Sequence, residues 1–137
     1  MLNTFEPMHQ EVSLISLLVS DYDEAIAFYT GKLHFILKED TRLSDEKRWV
    51  VVMPPGSSGC GILLAKAANG EQQSRIGNQT GGRVFLFLQT NDFDRDYQAL
   101  LDNDITIVRE PTVEPYGKVA VFADLYGNLW DMIGPVY

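Results

Sequence analysis

The run over residues 119–135, VAVFADLYGNLWDMIGP, contains the residue best suited to chemistry, Asp131. An apolar stretch ends at Asp124, Tyr126-Gly127-Asn128 supplies turn chemistry, and a second apolar stretch over 129–133 returns with one acid inside it. A lone carboxylate on the returning strand of a hairpin presents a metal ligand or a general base to whatever the sheet faces. Cys60 sits between Gly59 and Gly61 with no partner to mark it as a nucleophile, so packing is the role its context supports. As the only cysteine it permits no intrachain disulfide and no thiolate zinc cluster, which suits a reducing cytoplasm.

Holding Asp131 in place takes a sheet, and the chain spells the same set of elements twice. Residues 12–19, interrupted only by Ser13 and Ser16, read as a largely buried strand. Ser20 and Asp21, with Glu24 three residues after the aspartate, read as a capping-box start. Tyr22, Ile26, Tyr29 and Leu33 follow at helical spacing, an amphipathic helix of about three turns. Its acids Asp21, Asp23 and Glu24 crowd the first turn, where the helix dipole favours negative charge, so capping outweighs metal binding there. Residues 35–42, 49–53 and 60–65 are three further strands, with LSDEK as a hairpin connection and Pro54-Pro55-Gly56 as a stop. The segment 66–82 is polar, holds four glycines and shows no sustained periodicity, so it reads as a long loop.

Residues 83–90 begin the second set with another buried-strand run. Asn91-Asp92 opens a helix with Phe93, Tyr97, Leu100 and Leu101 on one face, and strands over 105–109, 118–124 and 129–133 complete the set. Asp21 and Asp92 lie 71 positions apart, as do Asp23 and Asp94. The same shift carries Tyr22, Ile26 and Tyr29 onto Phe93, Tyr97 and Leu100, and Lys38-Glu39 onto Arg109-Glu110. The sequence thus predicts an α+β fold of two βαβββ modules in a single domain over 1–137. Module one covers about 10–66, the loop 66–82, and module two about 83–135. Each module is too small to bury its own sheet, so the two are expected to share a curved sheet and cavity.

With 45% hydrophobic and 11% aromatic residues, the 137-residue chain has material for one globular core. Nineteen acids against eleven bases give a net charge of -8 with no basic stripe, which argues against nucleic acid and anionic membranes as partners. The opening MLNTFEPMHQ lacks a basic n-region and an apolar h-region, and residues 12–19 are too few to span a bilayer. A soluble, unprocessed, cytoplasmic protein is expected.

Three segments carry a resemblance: VSDYDEAIAFYTGKLHF (19–35), REPTVEPYG (109–117) and VFADLYGNLWDMI (121–133). Together and in this order they resemble the vicinal oxygen chelate superfamily, which includes glyoxalase I, bleomycin-resistance proteins and extradiol dioxygenases. The last segment is close to that family's F-x-D-P-x-G-N-x-W/F-E/D-L signature, and the resemblance covers nearly the whole length. In metal-dependent members it implies side-chain ligands on the first and fourth strands of each module. Carried over one at a time, the first position falls on Leu14 and its counterpart in module two on Phe85, with Arg83 the nearest polar neighbour. The fourth strand of module one offers only Leu63 or Leu64, and the last position falls on Asp131. One carboxylate is too little to hold zinc, nickel or ferrous iron, so no cofactor is expected, with a divalent metal as the alternative. His9 lies ahead of the first strand, and His34 replaces the glycine that the family has in LGF. A structural or exposed role for both outweighs ligation, and His34 burdens a helix end that favours left-handed backbone.

What the resemblance leaves is an apolar cavity for a small-molecule ligand. Its expected lining is Leu14, Trp49, Phe85, Phe87 and Tyr116, with Arg83, Glu114 and Asp131 as polar points, although plain core packing competes for every aromatic. Arg83 pairs with Asp131, meets an anionic ligand or faces solvent, and Glu114 ahead of PYG organises a turn or takes part in chemistry. Two functions follow. One is a binding protein of the bleomycin-resistance type that sequesters or carries a small, partly aromatic molecule. The other is a glyoxalase-like lyase or isomerase, dioxygenase-like chemistry included, with Asp131 as base or residual metal ligand and Arg83 stabilising an enolate-like anion. Loss of three ligand positions favours the first. The resemblance also implies a homodimer, because many relatives complete or cover their cavities across a subunit interface.

Overall fold

A computed structural model describes residues 7–136; most of the N-terminal stretch read above for a leader, residues 1–6, lies outside that range. The first module runs β1 (Leu14–Val19), α1 (Tyr22–Ile26), a π-helical continuation (Ala27–Lys32), β2 (Ile36–Arg42), β3 (Arg48–Met53) and β4 (Gly61–Lys66). After α2 (Gly70–Arg75), the second runs β5 (Leu86–Gln89), α3 (Phe93–Asp102), β6 (Ile107–Glu114), β7 (Gly117–Ala123) and β8 (Leu129–Gly134). The fold is α+β, a βαβββ module in tandem, as the repeat predicts. The strands form two four-stranded sheets, ordered β1-β4-β3-β2 and β5-β8-β7-β6.

Within one chain the modules share a core, while each sheet keeps its own strands. Leu17 and Val19 of β1, Val50 and Val52 of β3, and Ile62 and Leu64 of β4 point into one cluster with Phe122 of β7 and Trp130 and Met132 of β8. Tyr22, Ala25, Phe28 and Tyr29 from the first helix and Phe93 and Leu100 from α3 complete it. Side chains alternate along a strand, so the other face of each sheet points away from this core. The curved surface expected as a single enclosed cavity is therefore presented by one chain as two outward faces. Covering the inner faces with helices is what turns the other faces out.

The repeat is exact enough to expose a one-residue difference. Asp21 accepts the Glu24 backbone N–H at 2.8 Å and Asp92 accepts that of Arg95 at 3.1 Å, so both helices start on an aspartate cap. Each helix leads into a left-handed residue, His34 (φ 61°) and Asp104 (φ 55°), which lie 70 positions apart against 71 for the caps. The π-helical stretch takes up the additional residue of module one, with Leu33 N–H reaching the Phe28 carbonyl at 3.2 Å. The capping box is only half made: the Glu24 carboxylate accepts from Tyr126 Oη at 2.7 Å and Ser20 Oγ at 3.1 Å.

The segment 66–82 is not all loop. Asn69 caps α2 by accepting the Gln72 backbone N–H at 2.9 Å, and Glu71 pairs with Arg75 at 3.2 Å. Six residues are too few for a periodicity to emerge from the sequence. Farther on, the Gln79 side chain accepts from Leu18 N–H and donates to the Ser16 carbonyl, closing the free edge of β1.

Candidate functional site

Asp131 stands on β8 between two apolar neighbours that fix its direction. Trp130 and Met132 are almost fully buried in the core, so alternation turns Asp131 to the outward face. The ladders place it opposite Phe87 of β5 on one side and Val121 of β7 on the other, and Val121 opposite Arg109 of β6. Directly opposed residues share a face, which makes Phe87, Asp131, Val121 and Arg109 a row across the sheet. Phe87 is 66% exposed, whereas Val121 is 4% exposed.

The Asp131 Oδ1 atom is shielded from solvent and makes no hydrogen bond. Burial pushes this carboxyl above the ordinary aspartate range, and the charge of Arg109 offsets part of the rise. A shielded acceptor without a donor costs free energy that a bound donor would recover.

Module one presents the equivalent row as Ser16, Leu63, Val51 and Glu39. Leucine occupies the place of the acid, and a glutamate that of Arg109. Leu14 lies over Gly61, where an added Cβ would come 3.1 Å from its Cδ2. Among the described residues no three His, Cys, Asp or Glu side chains are grouped to hold a metal ion. Around Asp131 the row offers a phenylalanine, a valine and a cation-repelling arginine. This donor set does not fit the metal of the family's metal-dependent members.

The other expected site residues are scattered. Trp49 lines a cavity of about 920 Å³ on module one with Ser16, Leu18, Leu63 and Gln79. Phe87 lines a different cavity, of about 710 Å³, at the junction of the modules with His34, Cys60 and Arg95. Phe85 is half-buried against the core, its N–H bonded to the Leu129 carbonyl at 2.8 Å. Arg83 is exposed, and among the described residues its side chain has no hydrogen-bond or ion-pair partner; the cation near Asp131 is Arg109. Glu114 and Tyr116 belong to the β6–β7 hairpin tip, where Glu114 pairs with Gly117. That tip lies four residues along β7 from Val121, about 13 Å from the Asp131 row. His9 is exposed beside Glu11 at 3.8 Å, and His34 lies 3.4 Å from Asn103.

Arg109 is the residue of the Asp131 row that the sequence does not single out. The repeat marked its position, but its strand reads as ending there, whereas β6 continues to Glu114. Register shifts on either side of Arg109 decide which face it takes, and no local pattern announces them.

The turn ahead of β8 is held by buried Asp124. Its carboxylate accepts from Tyr29 Oη at 2.6 Å, from Asn128 Nδ2 at 2.9 Å, and from the backbone N–H groups of Tyr126 and Asn128 at 2.9 Å each. Trp130 Nε1 donates to Tyr29 Oη at 3.3 Å. The Asp-x-x-Gly-Asn part of the hairpin thus shapes the turn and sets the start of the strand that carries Asp131.

Two four-stranded sheets from tandem βαβββ modules, with helices packed on their inner faces, define the class. Residues 11–132 match the profile of the Glyoxalase/Bleomycin resistance protein/Dioxygenase superfamily, and the chain belongs to it. An uncharacterised protein of Shewanella frigidimarina is 58% identical over 127 residues, 92% of this chain and 94% of that protein. The solved structure of UcmS2 superposes with a TM-score of 0.80 at 29% identity, covering 92% of this chain and 98% of that one. TnmS3, described as an antibiotic binding protein from Streptomyces sp. CB03234, superposes with a TM-score of 0.75 at 27% identity over 95% and 99% of the two chains.

Proposed function

We propose that this protein binds a small, partly aromatic organic molecule on the outward face of its second sheet, without a resident metal and without transforming it. The observation that carries the reading is the shielded, unpartnered oxygen of Asp131, set between exposed Phe87 and apolar Val121. An apolar surface with one convergent polar group is the usual build of a small-molecule site. Leu14, Leu63 and Phe85 at the positions where relatives carry ligands support the metal-free part. The description of TnmS3 as an antibiotic binding protein supports the class of cargo.

A homodimer belongs to the same reading. Each chain turns two partly apolar faces to solvent, with Trp49 on one and Phe87 on the other. A two-fold pairing that sets sheet one of each copy over sheet two of the other covers both faces and encloses two equal cavities.

A second reading, a glyoxalase-like lyase or isomerase, is favoured by one observation. A carboxyl held above its ordinary range is tuned towards the work of a general base, and Arg109 stands on the same row to take up charge on an enolate-like anion. Calorimetric titration with a panel of aromatic antibiotics in the presence of EDTA, followed by mass analysis of the recovered ligand, separates the two. The binding reading expects saturation at one ligand per protomer and an unchanged mass. A converted ligand establishes the enzyme instead, and a panel with no binder removes the binding reading.

A further inference from the structure

We propose that Asn69 is a site of spontaneous covalent modification, in which its side-chain amide closes on the Gly70 backbone nitrogen and the ring then opens to aspartate or isoaspartate, at a rate set by the opening of α2.

Asn69 is the only asparagine of the sequence followed by glycine; Asn78, Asn91, Asn103 and Asn128 are followed by glutamine, aspartate, aspartate and leucine. Ring closure brings the nitrogen of the following residue onto the side-chain carbonyl carbon, and a Cβ on that residue restricts the approach. Both Asn69 and Gly70 are exposed, and no atom lies within 4 Å of where a Gly70 Cβ would stand. Gly70 is also the first residue of α2, where a backbone N–H has no partner inside the helix.

The reaction balances with water alone. The Gly70 nitrogen gives its proton to solvent and bonds to Asn69 Cγ, the Cγ–Nδ2 bond breaks, and ammonia leaves. Water then opens the cyclic imide at Cγ to give aspartate, or at the main-chain carbonyl to give isoaspartate, whose backbone runs through the former side chain. Nothing is oxidised or reduced.

The folded chain holds this reaction back. Asn69 is extended, with ψ at 176°. Its Oδ1 accepts the Gln72 N–H at 2.9 Å, its carbonyl accepts the Gln73 N–H at 3.0 Å, and Gln72 Oε1 accepts the Ala68 N–H at 2.7 Å. The Gly70 nitrogen reaches Cγ only when ψ rotates, and that rotation breaks the cap. Six residues long and with none of them buried, α2 opens far more readily than the sheets. The two products act differently on it. Aspartate keeps an acceptor at the cap and adds a charge that the helix dipole favours, whereas isoaspartate inserts a methylene into the backbone and removes the cap. Ala67, Ala68 and Gln72 line the module-one cavity with Trp49, so isoaspartate alters one wall of it.

Incubation of the full chain in mildly alkaline buffer made with heavy-oxygen water, followed by tryptic digestion in ordinary water and mass analysis, tests the proposal. Trypsin releases residues 67–75 by cutting after Lys66 and Arg75. This peptide should accumulate aspartate and isoaspartate forms, each with a heavy oxygen, while Asn78, Asn91, Asn103 and Asn128 stay intact over the same period. Gly70→Ala, which has room for its methyl group, should convert about tenfold more slowly. Gln72→Ala, which loses the bond to Ala68, should convert about fivefold faster when folded, the size of one hydrogen bond, and at the wild-type rate in urea. Circular dichroism melts confirm that both variants fold. Aspartate without isoaspartate, or a wild-type rate in Gly70→Ala, overturns the cyclic route. Equal rates in the folded wild type and folded Gln72→Ala overturn the control by α2. A 67–75 peptide that stays intact in the folded chain while it converts in urea overturns the modification of the native protein.

Discussion

Tyr29 and Asp124, 95 positions apart, meet at 2.6 Å inside the core that the two modules share. Burial and then the charge of Asp124 push the Tyr29 hydroxyl well above its ordinary value of 10.0. Tyr29→Phe should cost about 1.5–3 kcal/mol in urea unfolding, the range for a lost hydrogen bond to a charged group. The raised value makes the neutral hydroxyl a source of stability that is complete below pH 10.0 and lost as pH climbs towards the raised value. The wild type should therefore lose stability above that pH more steeply than Tyr29→Phe.

Gly77 brings the linker against the turn of the second module. Its backbone is left-handed at φ 75°, and an added Cβ would overlap the Tyr126 carbonyl oxygen. Gly77→Ala should destabilise by about 2 kcal/mol or more, because both the conformation and the contact oppose it. Gly70→Ala, at a site with open space around the Cβ position, should change the melting temperature little.

Asp131 is expected to cost stability. Its raised carboxyl contributes stability that is complete below the ordinary value of 3.8 and lost as pH rises through the raised one. At pH 7 the charged form is present at a cost, so Asp131→Asn should stabilise the protein by about 0.5–1 kcal/mol, a modest gain for a partly solvated site. The gain should shrink towards zero as pH falls to 3.8. Melting curves at several pH values check both the sign and the trend.

The modules were legible because local rules wrote them twice. Asp21 and Asp92 cap their helices as their types and spacing predict, and Tyr22, Tyr29, Phe93 and Leu100 are buried as the repeat requires. The outward aim of Asp131 follows from Trp130 and Met132, whose apolar character leaves it the opposite face. Arg109 was not legible, because a bulged ladder sets its face and bulges leave no periodic trace. Nor was the separation of Trp49 from Asp131. Each sheet shows the same alternation whether its outer face meets the other module or solvent, and helix packing in the shared core decides between the two.

Where ligand touches the protein tests the central claim most directly. With backbone and side-chain NMR resonances assigned, 2-naphthol should shift Phe87, Val121, Asp131 and Arg109 together in one saturable process. Trp49 should join them if a second copy covers the face. Saturable shifts confined to the junction cavity around His34, Cys60 and Phe87, with Val121, Asp131 and Arg109 unmoved, would contradict the claim.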